Sequence, residues 1–252
     1  MRFPPLPILL YHRILPRSDA RFDGYAVTPQ RFLAQMAWLK RQGFRTVDLS
    51  TGLALVRSAQ PGSERVCVVT FDDGTEDNYS QAFPILQSLG FTATVFMLPQ
   101  FAGQSHQGQH YLNWDQIGEM VGAGWRFESH GWSHQDLTAM SEAEIDHEAG
   151  ESKRLLEQRL DRSVRYFAYP FGLRSEAVSG RLARWGYEGA CGGTPELDGR
   201  VPDCWNVGRT EIFQTDGPLR FAFKVSHGYG PGYWLLRQGG RIRRALMRER
   251  RA

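Results

Sequence analysis

Val66-Cys67-Val68-Val69-Thr70-Phe71-Asp72-Asp73-Gly74 is the stretch that decides how the rest of the chain is read. A short, continuous apolar run of this kind fits a strand buried on both faces, and such strands belong to parallel sheets covered by helices. The run stops abruptly on two carboxylates and a glycine. Beyond it, Glu76 to Leu89 carries Tyr79, Phe83, Leu86 and Leu89 at helical spacing, with Gly90 as a stop signal and Pro84 predicting a kink or a late start. Working outward, strand-like runs recur at Leu6 to Tyr11, Phe44 to Leu49, Thr92 to Leu98, Trp125 to Ser129, Tyr166 to Tyr169, Tyr187 to Cys191 and Asn206 to Ile212. Helical patterns stand between them. One is capped by Thr28-Pro29, one by Asn113, and a long one to about Leu160 opens on the capping box Ser141-Glu142-Ala143-Glu144. The Gly- and Gln-rich segment Gly103 to His110 reads as a loop, and Phe221 to Ser226 fits strand or helix. Seven or eight β-then-α units, with no repeat and no linker, predict one α/β domain over residues 1–233, a barrel of about seven parallel strands.

The bulk numbers narrow the partners. A formal charge of +3 on 252 residues gives no nucleic-acid footprint. Cys67, Cys191 and Cys204 are odd in number and widely spaced, so neither a disulfide framework nor a cysteine metal site is expected. No run reaches the ~20 apolar residues of a membrane span, and Leu6 to Tyr11 is too short for a signal segment. The expectation is a cytoplasmic protein. Residues 234–252 form a separate basic tail, with Arg237, Arg241, Arg243, Arg244, Arg248, Arg250 and Arg251 against Glu249 alone. Such a tail is either a solvated, frayed helix or a segment that suits an anionic membrane surface, here the inner face.

Chemistry collects at the C-terminal ends of barrel strands. Four polar clusters fall there: His12, Asp72-Asp73, His130-x-x-x-His134, and the segment around Pro170. Adjacent carboxylates at a buried strand end repel and lose hydration, and a bound cation compensates both; the alternative is an ordinary Asp-Gly turn. Two histidines four residues apart reach one ion through a helical turn or a tight loop. Two imidazoles and one carboxylate with open positions make a usual catalytic zinc set, which also suits cobalt, nickel or iron. Trp132, between the two histidines, is the tryptophan best placed to stack on a bound ligand.

Thr70-Phe71-Asp72-Asp73-Gly74 resembles the first motif of the polysaccharide deacetylases, the NodB-homology or carbohydrate esterase family 4 domain. His130-Gly131-Trp132-Ser133-His134 is similar to the second, with Gly131 where the motif carries Ser or Thr, and Arg165 to Pro170-Phe171-Gly172 resembles the third. The motifs stand in family order and the resemblance covers roughly residues 6 to 213. It implies a distorted (β/α) barrel and a metal-dependent hydrolase that removes an N-acetyl group from an amino sugar. It further implies that Asp72 is the general base, that Asp73, His130 and His134 hold one divalent metal ion, and that the N–H of Phe171 helps hold the oxyanion, with Tyr169 and Pro170 lining the substrate. One departure falls in the third motif, where the arginine that holds the base is replaced by Ala168; Arg209 is the nominated substitute partner for Asp72. His12 in Leu-Leu-Tyr-His-Arg resembles a subgroup, including biofilm poly-N-acetylglucosamine deacetylases, whose acid histidine comes from the N-terminal strand; His227 is its rival. Two other readings stay open: a deformylase or other amide hydrolase on the same site, and a non-catalytic sugar-binding domain that keeps the metal.

Overall fold

The computed structural model describes residues 6–16, 24–58, 65–193 and 203–227. Its main sheet contains β1 (Ile8–Tyr11), β2 (Arg65–Asp73), β3 (Thr94–Met97), β4 (Arg126–Ser129), β5 (Tyr166–Ala168), β6 (Gly189–Gly193) and two short pieces, β7 (Val207–Gly208) and β8 (Thr210–Glu211). They run in the order β7-β6-β5-β4-β3-β2-β1-β8, with every neighbouring pair parallel. β7 and β8 are halves of one segment interrupted only by Arg209. The first half pairs Val207 with Cys191 of β6, and the second pairs Thr210 with Leu9 of β1. One segment therefore joins both edges and closes the sheet into a barrel. A further short strand, Phe44–Thr46, pairs with β2 off this ring.

The helices are α1 (Pro29–Arg41), α2 (Leu49–Arg57), α3 (Phe83–Ser88), α4 (Trp114–Gly122), α5 (Glu142–Leu160), α6 (Glu176–Arg184) and α7 (Pro218–His227). Their starts follow the capping residues read from the sequence. Thr28 accepts from Arg31 N at 3.3 Å, and the reciprocal boxes of Asn113 with Gln116 and of Ser141 with Glu144 are both formed. Pro84 has its predicted effect: the chain makes a π-helical turn over Asn78–Ala82, and α3 begins only at Phe83.

Strand alternation divides the core in two. Cys67, Val69 and Phe71 face outward, where they meet Leu86, Ile117, Met120, Leu156 and Leu182 of the helices. Val68, Phe96, Tyr166, Ala168, Cys191 and Val207 form the barrel filling, closed at the strand-start end by Leu49 and Leu53 of α2. The α2 contact is close: a Cβ on Gly52 would lie 2.9 Å from Val68 Cγ2 and 3.0 Å from Leu6 Cδ2, so any larger residue there would push those side chains aside. In the outer layer Phe71 stacks on Trp125 at 5.7 Å between centroids. Truncating either to Ala would cost about 3–5 kcal/mol.

Two local readings change and one left open is decided. Gly103 to His110 contains a β-hairpin, Ser105–His106 against Gln109–His110. Its turn residues Gln107 and Gly108 both have positive φ (49° and 75°), the twist that tight hairpins require. Trp125 precedes its strand and packs in the outer core. Phe221 to Ser226 is helix, within α7. Lys224 of that helix donates to the Glu211 carbonyl at 2.7 Å and to Asp216 at 2.5 Å, which pins the closing strand β8. The basic tail, residues 234–252, and the boundary at residue 233 lie outside the described residues. Among the described residues no helix is long and apolar enough to cross a membrane.

Candidate active site

The two neighbouring aspartates have opposite surroundings because a strand sends successive side chains to opposite faces. Asp72 points into the barrel, in register with Phe96 of β3, and is 3% exposed. Arg209 enters the same interior from the junction of β7 and β8. Its Nη1 donates to Asp72 Oδ1 at 2.6 Å and its Nη2 to Oδ2 at 2.8 Å, while the guanidinium lies 5.0 Å above the Phe96 ring. Nη1 also donates to Thr70 Oγ1 at 3.3 Å. Burial alone pushes the Asp72 carboxyl up, but Arg209, His130 and His12 together outweigh it and hold it at about 2. Asp72 is thus a buried, fully ionised carboxylate. The small Ala168 stands on the neighbouring interior face, and Arg209 reaches the aspartate from another strand.

Asp73 ends β2 with a φ of 74°, a left-handed conformation that Asp tolerates better than most residues. Its carboxylate faces two imidazoles: Oδ1 lies 3.6 Å from His130 Nε2 and 3.7 Å from His134 Nε2. Ligand atoms of Asp73, His130 and His134 all lie within 4.8 Å of one another. Tetrahedral ligands at about 2.1 Å from zinc stand about 3.4 Å apart, so this spacing fits one small divalent cation. The donors also have the right form. His130 Nδ1 lies 2.8 Å from the Ala168 carbonyl, which only accepts, so Nδ1 donates there and Nε2 is the ring atom turned to Asp73. Burial, followed by the neighbouring His130, lowers His134 to about 4, leaving it neutral near pH 7.

His12 follows β1 directly, half-buried, its ring 5.0 Å from that of Tyr25. Its backbone carbonyl accepts from Asn78 Nδ2 at 3.1 Å. The same loop grips the next residues: Asp77 accepts from Arg13 Nε at 2.5 Å and from Ile14 N at 2.6 Å. The chain after Asp72-Asp73-Gly74 thereby fixes the chain around His12. His12 Nδ1 is buried and finds no hydrogen-bond partner within the described residues.

The remaining nominated residues divide. Phe171 has a φ of 59°, is 53% exposed, and packs its ring edge-on to His134 at 4.6 Å. Tyr169 is instead buried in the outer core, its hydroxyl donating to the Trp205 carbonyl at 3.1 Å, and Pro170 is buried beside it. Tyr169 is a packing residue, because alternation along β5 turns it away from the interior. Trp132 lies on the helix side of its loop, with its ring 6.1 Å from that of His147 on α5. The aromatic surface beside the histidines is Phe171. Arg165, read as the start of the third motif, pairs with Glu188 and Ser50 at the strand-start end of the barrel. His227 ends α7, exposed, with its ring stacked on Phe223 at 4.6 Å. Sequence reasoning missed Asp77, Asn78 and Glu148. Glu148 carried a usable signal: it shares a helix face with Ile145, Ser152 and Leu156, an unexpected place for a charge.

At its mouth the parallel barrel carries an Asp–His–His cluster that could hold a metal ion and, beside it, a second carboxylate held by an arginine. The sequence profile of the polysaccharide deacetylase family matches residues 59–190. This chain belongs to the polysaccharide deacetylase family. It is 31% identical to YxkH of Bacillus subtilis (strain 168) over 183 residues, 73% of this chain and 62% of that protein. It is 27% identical over 173 residues to the poly-beta-1,6-N-acetyl-D-glucosamine N-deacetylase of Staphylococcus aureus (strain MRSA252), covering 63% and 58% of the two chains. The chain therefore spans about three fifths of the length of these curated relatives. The fold is shared with the Streptococcus pyogenes deacetylase PplD in complex with acetate, at a TM-score of 0.79 and 24% identity over 87% of this chain and 97% of that one.

Proposed function

We propose that this protein is a metal-dependent N-deacetylase that hydrolyses the acetamide of an N-acetylated amino sugar in a glycan or glycolipid. The observation that carries the proposal is the pair of unlike carboxylates: Asp72, kept ionised by Arg209, stands next to Asp73, which joins His130 and His134 as a three-ligand set. Family membership and the name of the Staphylococcus aureus relative support the choice of an N-acetylated sugar. Zinc suits the set best, with cobalt, nickel or iron as substitutes. Asp73, His130 and His134 would hold it, and when bound it supplies Lewis acidity at the acetyl carbonyl.

The chain's own residues do the rest. Asp72 accepts a proton from the attacking water, and Arg209 keeps it able to do so near neutral pH. His12 gives a proton to the sugar nitrogen as the C–N bond breaks. The Phe171 ring offers an apolar face to the sugar beside His134. The deciding measurement is release of acetate and of formate from N-acetylhexosamine oligomers and lipid-linked amino sugars, with and without a chelator. Acetate release that stops with chelator and returns with zinc supports the proposal. Formate as the main product would make the enzyme a deformylase, and no turnover on any N-acylated sugar would leave a binding domain.

A further inference from the structure

The two histidines of the candidate metal site are joined by Gly131-Trp132-Ser133, a segment with no regular structure of its own. A short loop of this kind orders only if its backbone groups are satisfied. All three of its N–H groups are taken. Gly131 N donates to Ser129 Oγ at 3.2 Å, and Ser129 Oγ is bonded at 2.7 Å to Ser152 Oγ of α5. Trp132 N and Ser133 N both donate to one oxygen of Glu148, at 2.8 and 2.9 Å, and the Ser133 hydroxyl donates to the other. Glu148 is 4% exposed and sits four residues before Ser152, so one face of α5 grips the whole loop. Gly131 belongs to the same arrangement. Its φ is 88°, and a Cβ there would lie 3.1 Å from Glu148 Oε2 and 3.7 Å from Phe167 Cζ, so the Ser or Thr of the motif it resembles would crowd the carboxylate. The grip ends at His134, which is itself held at a φ of 61°.

We infer that Glu148 is a positioning residue: through the amides of Trp132 and Ser133 it sets the reach of His134 towards Asp73, and so the affinity of the three-ligand site for a divalent cation. A buried carboxylate bound by consecutive backbone amides occupies a small anion nest, and here the nest belongs to the protein and fixes a loop. The inference rests on the metal reading above, so its test has one arm that needs no metal.

The test uses the full chain, with Glu148→Ala and Glu148→Gln beside the wild type. Zinc affinity is measured by chelator competition, amide exchange by mass spectrometry on the metal-free protein, and kcat at saturating zinc. Glu148→Ala is expected to weaken zinc binding by about 10–100-fold, the usual effect of losing a residue that orients a ligand. Exchange at Trp132 and Ser133 should rise by about tenfold or more while β3 and β4 stay protected. With zinc saturating, kcat should return to near the wild-type value. Glu148→Gln, which keeps one acceptor for the two amides, should fall between. Wild-type zinc affinity in Glu148→Ala would overturn the proposal, and so would a loss of protection spread evenly over the barrel, since the glutamate would then serve the fold alone. If the wild type itself bound no zinc, the metal reading would fall; unchanged exchange at Trp132 and Ser133 in Glu148→Ala would then overturn the clamp as well, and a selective rise there would uphold it as a loop-ordering device.

Discussion

Asp72 and Asp73 differ by one position and by everything around them. Asp72 is buried with a bidentate arginine, while Asp73 turns through a left-handed backbone to meet two imidazoles. That contrast is why we propose proton transfer for the first and metal ligation for the second. Asp72→Asn keeps the shape and removes the proton acceptor, so kcat should fall by about 10²–10⁴-fold with zinc stoichiometry intact. Loss of zinc in that variant would make Asp72 a ligand instead. Arg209 is tested by pH. Its guanidinium opposes the effect of burial on Asp72 and keeps the carboxyl at about 2. In Arg209→Lys a single flexible ammonium replaces the two-pronged contact, burial counts for more, and the Asp72 pKa rises. A protonated Asp72 cannot accept a proton, so the acidic limb of kcat/KM should move to higher pH and activity should be lost earlier as pH falls. An acidic limb that stays in place would remove Arg209 from this role.

At the scale of elements, the site is an assembly of strand ends: β1 delivers His12, β2 the aspartates, β4 the first histidine, and the β7–β8 junction Arg209. This much was legible in the sequence, because buried strands show as apolar runs and the polar residue that ends each run is conspicuous. Capping boxes and the Pro84 late start were legible for the same local reason. What escaped was lateral. The direction of Trp132 depends on which helix its loop packs against, and the burial of Tyr169 depends on alternation carried one residue past the three-residue strand β5. The hairpin turn at Gln107-Gly108 has the usual glycine but carries Gln107 where Asn, Asp or Gly usually stands. Position also separates the two candidate acids. His12 stands at a strand end with its backbone held by Asn78, whereas His227 is exposed at the end of α7. A donor must be held rigidly and protonated in the working state. His12→Ala should therefore lower kcat by about 10²–10⁴-fold and retain zinc, while His227→Ala changes little. The reverse outcome would make His12 structural.

Across the whole barrel, a carboxyl buried on the interior face makes stability depend on pH. Glu128 of β4 is 6% exposed, in register with Phe96 on the interior face. Its Oε2 accepts from Arg165 N at 2.7 Å and Tyr166 N at 2.8 Å, which satisfies the start of β5. Burial pushes its carboxyl up to about 8, against the pull of those two N–H groups, so the folded protein holds Glu128 neutral where an unfolded chain would ionise it. Between the ordinary glutamate value of 4.5 and about 8, the folded state therefore binds a proton that the unfolded state has released. Stability from this group is complete below the lower value, falls as pH rises through the window, and is gone above the upper one. Glu128→Gln supplies one carbonyl oxygen for the same two N–H groups and cannot ionise. Urea unfolding at intervals from pH 5 to 9 should show wild-type stability declining relative to Glu128→Gln, with the gap reaching a few kcal/mol above pH 8 and closing near pH 5. The contribution is a difference between two chains of otherwise equal charge, so titrations elsewhere cancel. A gap that does not change with pH would show that Glu128 is ionised in the folded barrel, held by its two backbone donors as an anion.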